Sequence, residues 1–171
     1  VQARRQAAYH ARVFPDAELV IWGRDESKRA SCVDQLLLEG LKATTAGSLQ
    51  ELAAKCELIV TTTSSTAPLL RADWIRPGTH ITAVGSDTPE KQELDTSLMA
   101  LADRVVCDSL EQCRLRGEVA QALKSGDIVE GDVVELGAVL SGAAQGRRSP
   151  QEVSVCDLTG VAVQDLHIAE A

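Results

Sequence analysis

Residues 81–95 read ITAVGSDTPEKQELD, and the change of character inside this stretch decides the fold. Residues 81–84 form a short apolar run, the pattern of a strand buried on both faces. The run breaks at Gly85, and Ser86 and Asp87 fall into a turn closed by Pro89. In an open α/β sheet, ligands bind beyond the carboxyl ends of the strands. Asp87 is therefore a candidate for proton chemistry, although an acid two residues before a proline also suits an Asx turn.

The flanking sequence repeats the same logic. Upstream, residues 2–13 have a helical rhythm and residues 17–22, AELVIW, read as a strand. Asp25 is placed to cap a helix running to residue 39, which Gly40 stops. A short strand over 41–45 leads to Ser48, which caps a helix to about residue 55 with Glu51 completing a capping box. Residues 58–63, LIVTTT, form the next strand, and a loop containing Pro68, Trp74 and Pro77 connects it to residue 81.

Downstream, the pattern predicts a helix over 96–102, a strand over 104–107 and a long amphipathic helix over 110–124. It then predicts a helix over 133–140 closed by Gly142, a polar loop over 143–150, a strand over 153–158 and a closing helix over 161–169. Apolar strands separated by helices indicate a parallel sheet covered on both faces. The expected fold is one α/β domain over residues 1–171, Rossmann-like and doubly wound, with a mostly parallel sheet.

One part of that fold is missing from the pattern. A Rossmann unit begins with a strand and a glycine-rich turn feeding its first helix, whereas this chain opens on the helix. The expectation is a domain truncated at its N-terminus, with the first strand and its glycines upstream. That strand is central in the usual order, so the isolated chain is expected to be poorly stable. Strong hydrogen-exchange protection across residues 58–60 would contradict this.

Composition narrows the function. Apolar residues make up 44% and charged residues 25%, enough to build a core and a solvated surface. The net charge of −8 argues against non-specific nucleic-acid binding, and aromatics at 2% leave little for base stacking. No segment is apolar for long enough to span a membrane, and the first residues lack the apolar core of a signal peptide. Cys32, Cys56, Cys107, Cys113 and Cys156 lie far apart without a C-x-x-C pair, and the histidines are scattered. No metal site is expected; reduced, mostly buried thiols in a cytoplasmic protein are.

Several segments in order resemble the ornithine cyclodeaminase and mu-crystallin family of nicotinamide-dependent enzymes. They are VQA at the start, IWGRD, IVTTTSS with APLL, WIRPGTHITAVGSD, KQELD, and the late GRRS and TGVAVQDL. The resemblance covers the cofactor-binding domain and a C-terminal helix returning toward an N-terminal substrate and dimerisation region that these residues do not include. It implies an enzyme acting at the Cα–N bond of an amino acid or its imine, either an imine or ketimine reductase or an ornithine cyclodeaminase. Alanine-type dehydrogenation, or non-catalytic ligand binding as in some mu-crystallin-like members, stays open. The implied partners are a small amino-acid or cyclic-imine substrate and a second copy in a homodimer. Without the family's substrate clamp, the chain alone is expected to be inactive.

The resemblance also assigns residues. Gln2 and Ala3 would sit beside the pyrophosphate, where a helix N-terminus favours an anion. Gly23 and Arg24 end the second strand of the unit, with Lys28 one turn on. Cations there favour a 2′-phosphate and hence NADP(H), with NAD(H) possible because Asp25 is close by, although Asp25 is better placed as a helix cap. Thr62, Thr63 and Ser64 would face ribose and nicotinamide, while Thr61 reads as a strand residue. Val84 and Gly85 would allow close approach of substrate and ring. Asp87 would shuttle the proton at the substrate nitrogen; the residues alone favour the turn role, and the resemblance favours catalysis. Gly160 and Val161 would contact the cofactor. Lys91 could face the substrate mouth but reads rather as a solvated lysine, Glu93 as a partner of Arg104 or a helix cap, Asp95 as structural and Asp165 as part of an internal pair. His10, His80 and His167 read as bland.

Overall fold

The computed structural model describes residues 1–161, and the chain divides into two compact units, Val1–Cys56 and Glu57–Ala171. In the first unit, helices α1 (Gln2–Val13), α2 (Glu26–Leu38) and α3 (Leu49–Lys55) accompany strands β1 (Leu19–Ile21) and β2 (Ala43–Thr45). The strands pair in parallel, Leu19 opposite Ala43. Val33, Leu36 and Ala43 form the buried centre, with Ala7, Leu19, Ile21, Cys32 and Leu41 packed against it. Both anticipated caps are present. Asp25 accepts from the Lys28 amide at 3.0 Å, and Ser48 accepts from the Glu51 amide at 3.1 Å. The Glu51 carboxylate reaches back to the Gly47 amide at 2.7 Å, one residue before the cap.

The second unit is built on a five-stranded, wholly parallel sheet. Its strands are β3 (Leu58–Thr61), β5 (His80–Ala83), β7 (Arg104–Cys107), β8 (Val133–Glu135) and β9 (Ser154–Asp157), in the order β3-β5-β9-β7-β8. The last strand in sequence lies at the centre, and all of its residues are buried. Helices α4 (Thr96–Leu101), α5 (Leu110–Cys113), α6 (Gly117–Ser125) and α7 (Leu136–Leu140) connect the strands. The parallel α/β architecture anticipated from the apolar runs is the one observed. Among the described residues no helix is long and apolar enough to cross a membrane.

Several strands begin or end within one or two residues of the expected positions, and three departures are larger, each for a physical reason. The loop after β3 contains a strand, β4 (Thr66–Leu70), which pairs in parallel with β6 (Gln92–Leu94). Pro68 hid it; the register is irregular between Thr66 and Leu70, where a residue without an N–H is tolerated. The long helix expected over 110–124 is broken into α5 and α6. Gly117 adopts φ +88°, outside the helical range, and its bare Cα faces the Asp157 carboxylate. Residues 133–140 begin as a strand, because the β-branched Val133 and Val134 pair with Val105 and Val106 before α7 starts. Beyond Val161, the helix expected over 161–169 lies outside the described residues, as do Asp165 and His167.

Candidate functional site

The strand tips of the second unit carry most of the expected site. β5 lies between β3 and β9, with Ala83 opposite both Thr61 and Asp157. The ladder continues past the strands: the Val84 amide donates to the Thr61 carbonyl at 2.9 Å, and the Leu158 amide to the Ala83 carbonyl at 2.8 Å. Thr62, Thr63 and Ser64, then Val84, Gly85 and Asp87, then Gly160 and Val161 therefore leave the same edge of one sheet. Thr62 and Thr63 are half-buried and Ser64 is exposed; Gly85 and Val161 are half-buried and Gly160 is exposed.

Asp87 projects from this edge with its side chain 55% exposed. Its Oδ1 accepts from Lys91 Nζ at 2.5 Å. This corrects the expectation of a solvated Lys91, whose side chain is 24% exposed and engaged by the candidate acid. The turn from 87 to 91 brings the pair together, so Lys91 orients the carboxylate.

Beneath the exposed acid lie buried ones whose partners the sequence did not reveal. Glu93 is fully buried, and it neither pairs with Arg104 nor caps a helix as expected. Its Oε1 accepts from the Thr63 amide at 2.5 Å and its Oε2 from the Gly85 amide at 2.9 Å. Glu118, 1% exposed, accepts from the Ser86 hydroxyl at 2.5 Å and from the amides of Glu93 and Leu94 at 2.8 and 3.0 Å. Burial raises the pKa of Glu118 above the ordinary glutamate value, and these donors partly offset the shift. Asp157, at the tip of β9, accepts from the Val119 amide at 2.9 Å and so caps α6, whose own N-cap residue Arg116 makes no side-chain cap bond. Its Oδ1 is buried without a hydrogen-bond partner among the described residues, and burial raises its pKa well above the ordinary value.

The tip of β9 is tied to its neighbour by a second polar cluster. Asp108 accepts from the Gly160 amide at 2.7 Å and the Thr159 hydroxyl at 3.2 Å, while Gln112 donates to the Gly160 carbonyl at 2.7 Å. Gly160 is thus held on both sides of its peptide unit. His80 bridges the hydroxyls of Ser154 and Thr82, at 2.7 and 3.2 Å, and His10 bonds the Gln6 carbonyl at 2.9 Å. Both are structural. Asp95 caps α4 through the Ser97 amide at 3.0 Å, as expected.

The remaining expected contacts belong to the first unit. Gln2 and Ala3 are exposed in the first turn of α1. Gly23 and Arg24 follow β1, and a Cβ at Gly23 would meet nothing within 4 Å. Asp25 is engaged as the cap of α2, and its other oxygen lies 3.8 Å from Lys28 Nζ. The end of β1 thus offers an open glycine flanked by cations.

Comparisons with known proteins agree with this architecture. An uncharacterised cyclodeaminase of Sinorhizobium fredii is 40% identical over 171 residues, covering 99% of this chain and 52% of the relative. An archaeal alanine dehydrogenase dimer with bound NAD superposes with a TM-score of 0.93 at 36% identity, over 99% of this chain and 52% of that one. The iminosuccinate reductase of Paracoccus denitrificans in complex with NAD+ gives 0.82 at 38% identity, over 90% of this chain and 47% of that one. The chain spans about half the length of the curated relatives it matches. Its residues 1–171 match the ornithine cyclodeaminase/mu-crystallin family throughout, and the chain belongs to that family.

Proposed function

We propose that the full-length protein is a nicotinamide-dependent enzyme acting at the Cα–N bond of an amino acid or its imine, with Asp87 handling the proton on that nitrogen. The observation that carries this reading is the placement of Asp87: a half-exposed carboxylate beyond β5, oriented by Lys91 at 2.5 Å, beside the hydroxyl-bearing tip of β3. Names among the relatives, a cyclodeaminase and an iminosuccinate reductase, support the same bond as the reacting centre.

The residues present fit a nicotinamide dinucleotide. Taken each by itself, the unit from Glu57 offers half-buried hydroxyls at Thr62 and Thr63 and a Gly160 hydrogen-bonded through both its N–H and its C=O, and the unit ending at Cys56 offers space at Gly23 and cations at Arg24 and Lys28. When bound, such a cofactor exchanges a hydride with the carbon of the C–N bond. Thr62, Thr63 and Ser64 would hold ribose and carboxamide, Val84 and Gly85 would line the reacting face, and Gly160 and Val161 would close the opposite side. Gln2 and Ala3 would meet the pyrophosphate. We favour NADP(H), because Asp25 is occupied as a helix cap while Arg24 and Lys28 supply positive charge; NAD bound to the neighbours leaves NAD(H) open.

Carbon accepts hydride only while the imine nitrogen is cationic, and an amine gives hydride up only with its lone pair free. A carboxyl group beside that nitrogen serves both directions, protonating the imine or stabilising the iminium, and taking the proton back on oxidation. We further propose a homodimer, as in the alanine dehydrogenase neighbour, and a cytoplasmic location, the expectation from cysteines spaced far apart without a C-x-x-C pair.

Cofactor absorbance tests the reading. The full-length protein is expected to consume NADPH or NADH with a cyclic ketimine carboxylate, or else to release ammonia from ornithine with no net cofactor change. Asp87→Asn is expected to lower turnover by about 100- to 10,000-fold. Unchanged turnover in that variant would remove Asp87 from the chemistry.

A further inference from the structure

We infer that Glu93 is a positioning residue for this site, with Glu118 as its footing, a role that rests on the function proposed above. The paired part of β3 and β5 ends at Thr61 and Ala83. Two residues later on each chain, at Thr63 and Gly85, the amides are no longer satisfied by the ladder. A single carboxylate takes both, one oxygen to each, at 2.5 and 2.9 Å. Glu93 thereby holds the two strand tips at a fixed separation where sheet hydrogen bonding has stopped. Both oxygens are occupied by backbone donors and the side chain is fully buried, so Glu93 is a brace rather than a second proton carrier.

The brace is itself anchored. Glu118 holds the amides of Glu93 and Leu94, and its Oε1 also accepts from Ser86 Oγ at 2.5 Å. Ser86 lies between Gly85, held by Glu93, and Asp87. The backbone before the proposed acid is thus fixed from both sides by buried carboxylates, and among the described residues neither has a salt-bridge cation. Backbone and hydroxyl donors satisfy both carboxyl groups, which ties them to one backbone geometry. An amide in place of Glu93 would keep one acceptor oxygen and turn its NH2 group toward the other backbone N–H.

Gly85 completes the device. A Cβ there would collide with the Thr63 carbonyl oxygen and lie 2.5 Å from Glu93 Oε2. Only a residue without a side chain lets the carboxylate reach both tips, so Gly85→Ala attacks the same brace from the other side.

The test uses the full-length protein, titrated with NADH and NADPH by fluorescence and assayed with a cyclic ketimine carboxylate. Glu93→Gln is expected to weaken cofactor binding and lower kcat by about 10- to 100-fold each, the scale set by misplacing a site by a fraction of an ångström to an ångström. Asp87→Asn is expected to lose turnover while keeping cofactor affinity within about twofold. Gly85→Ala is expected to match Glu93→Gln, and the double variant to be no worse than either single one, because they break one device. Should Glu93→Gln fail to fold, Ser86→Ala, which removes only the Ser86 bond to the Glu118 anchor, is expected to lower kcat with cofactor affinity near wild type. Wild-type cofactor affinity and kcat in folded Glu93→Gln, multiplicative losses in the double variant, or an unaltered kcat in Ser86→Ala would each overturn the role. If the wild-type protein binds neither dinucleotide, the proposed function fails and takes this role with it; if wild type binds and turns over while Glu93→Gln equals it, only the positioning role fails.

Discussion

The ends of β1 and β5 both turn on a glycine, yet they treat space and charge in opposite ways. Beyond β1, Gly23 has nothing within 4 Å of a Cβ position, and Arg24, Asp25 and Lys28 are exposed. Beyond β5, Gly85 has no room for a Cβ, and the acids beneath it, Glu93 and Glu118, are 0% and 1% exposed. Water screens the charges at the first end, so each contributes little to stability and can be exchanged. At the second end the carboxyl groups are buried and hydrogen-bonded to backbone amides, so each fixes a piece of main chain.

The sharpest way to break this contrast is at Gly117, which meets the same buried layer. Its φ of +88° disfavours any side chain, and a Cβ would lie 2.5 Å from Asp157 Oδ2. Gly117→Ala is expected to destabilise the protein by about 2–5 kcal/mol, combining left-handed strain with overpacking against a buried carboxylate. Urea denaturation measures it. A change in midpoint no larger than that of a surface substitution would show the layer to be deformable, and the contrast with the end of β1 would collapse.

How the fold was legible follows from the same contrast. Apolar strands and caps are local patterns, and the caps at Asp25, Ser48 and Asp95 and the strand core at 81–83 read correctly because each depends on near neighbours. Glu93 and Glu118 did not, since their partners are remote: Thr63 lies 30 residues from Glu93, and Ser86 lies 32 residues from Glu118. In a strand as short as β6, side-chain alternation cannot say which residue faces inward. The one available signal was Gly117 inside an otherwise helical stretch, which marks a break and a close approach. It was masked by the strong amphipathic pattern on either side.

Asp157 sharpens the comparison through pH. Burial raises its pKa in the folded chain above the ordinary 3.8, so the native state holds a proton that the unfolded chain releases. The stability tied to that proton is complete below pH 3.8 and is lost as pH rises through the folded value, with a slope of at most about 1.4 kcal/mol per pH unit. Asp157→Asn keeps an oxygen for the Val119 amide and is neutral at every pH. It is expected to flatten the dependence and to be at least as stable as wild type at alkaline pH. Thermal melts across a pH series check this; parallel curves for the two proteins would mean that Asp157 carries no extra proton in the fold.

The smallest effect is expected at the exposed end, where it discriminates most finely. Asp25 caps α2 through the Lys28 amide at 3.0 Å, and removing such a cap costs about 1 kcal/mol. Asp25→Ala is therefore expected to lower stability by that amount. If the carboxylate is fully used as a cap, NADH affinity in the full-length protein stays within about twofold of wild type, since no more than about 0.4 kcal/mol of binding is touched. If the carboxylate instead bonds a ribose hydroxyl, NADH affinity drops by about tenfold or more while NADPH affinity holds or improves, because an acid at that position repels a 2′-phosphate. The two outcomes separate a cap from a ligand at one carboxylate. Only the first is consistent with a strand end whose discriminating charges are Arg24 and Lys28.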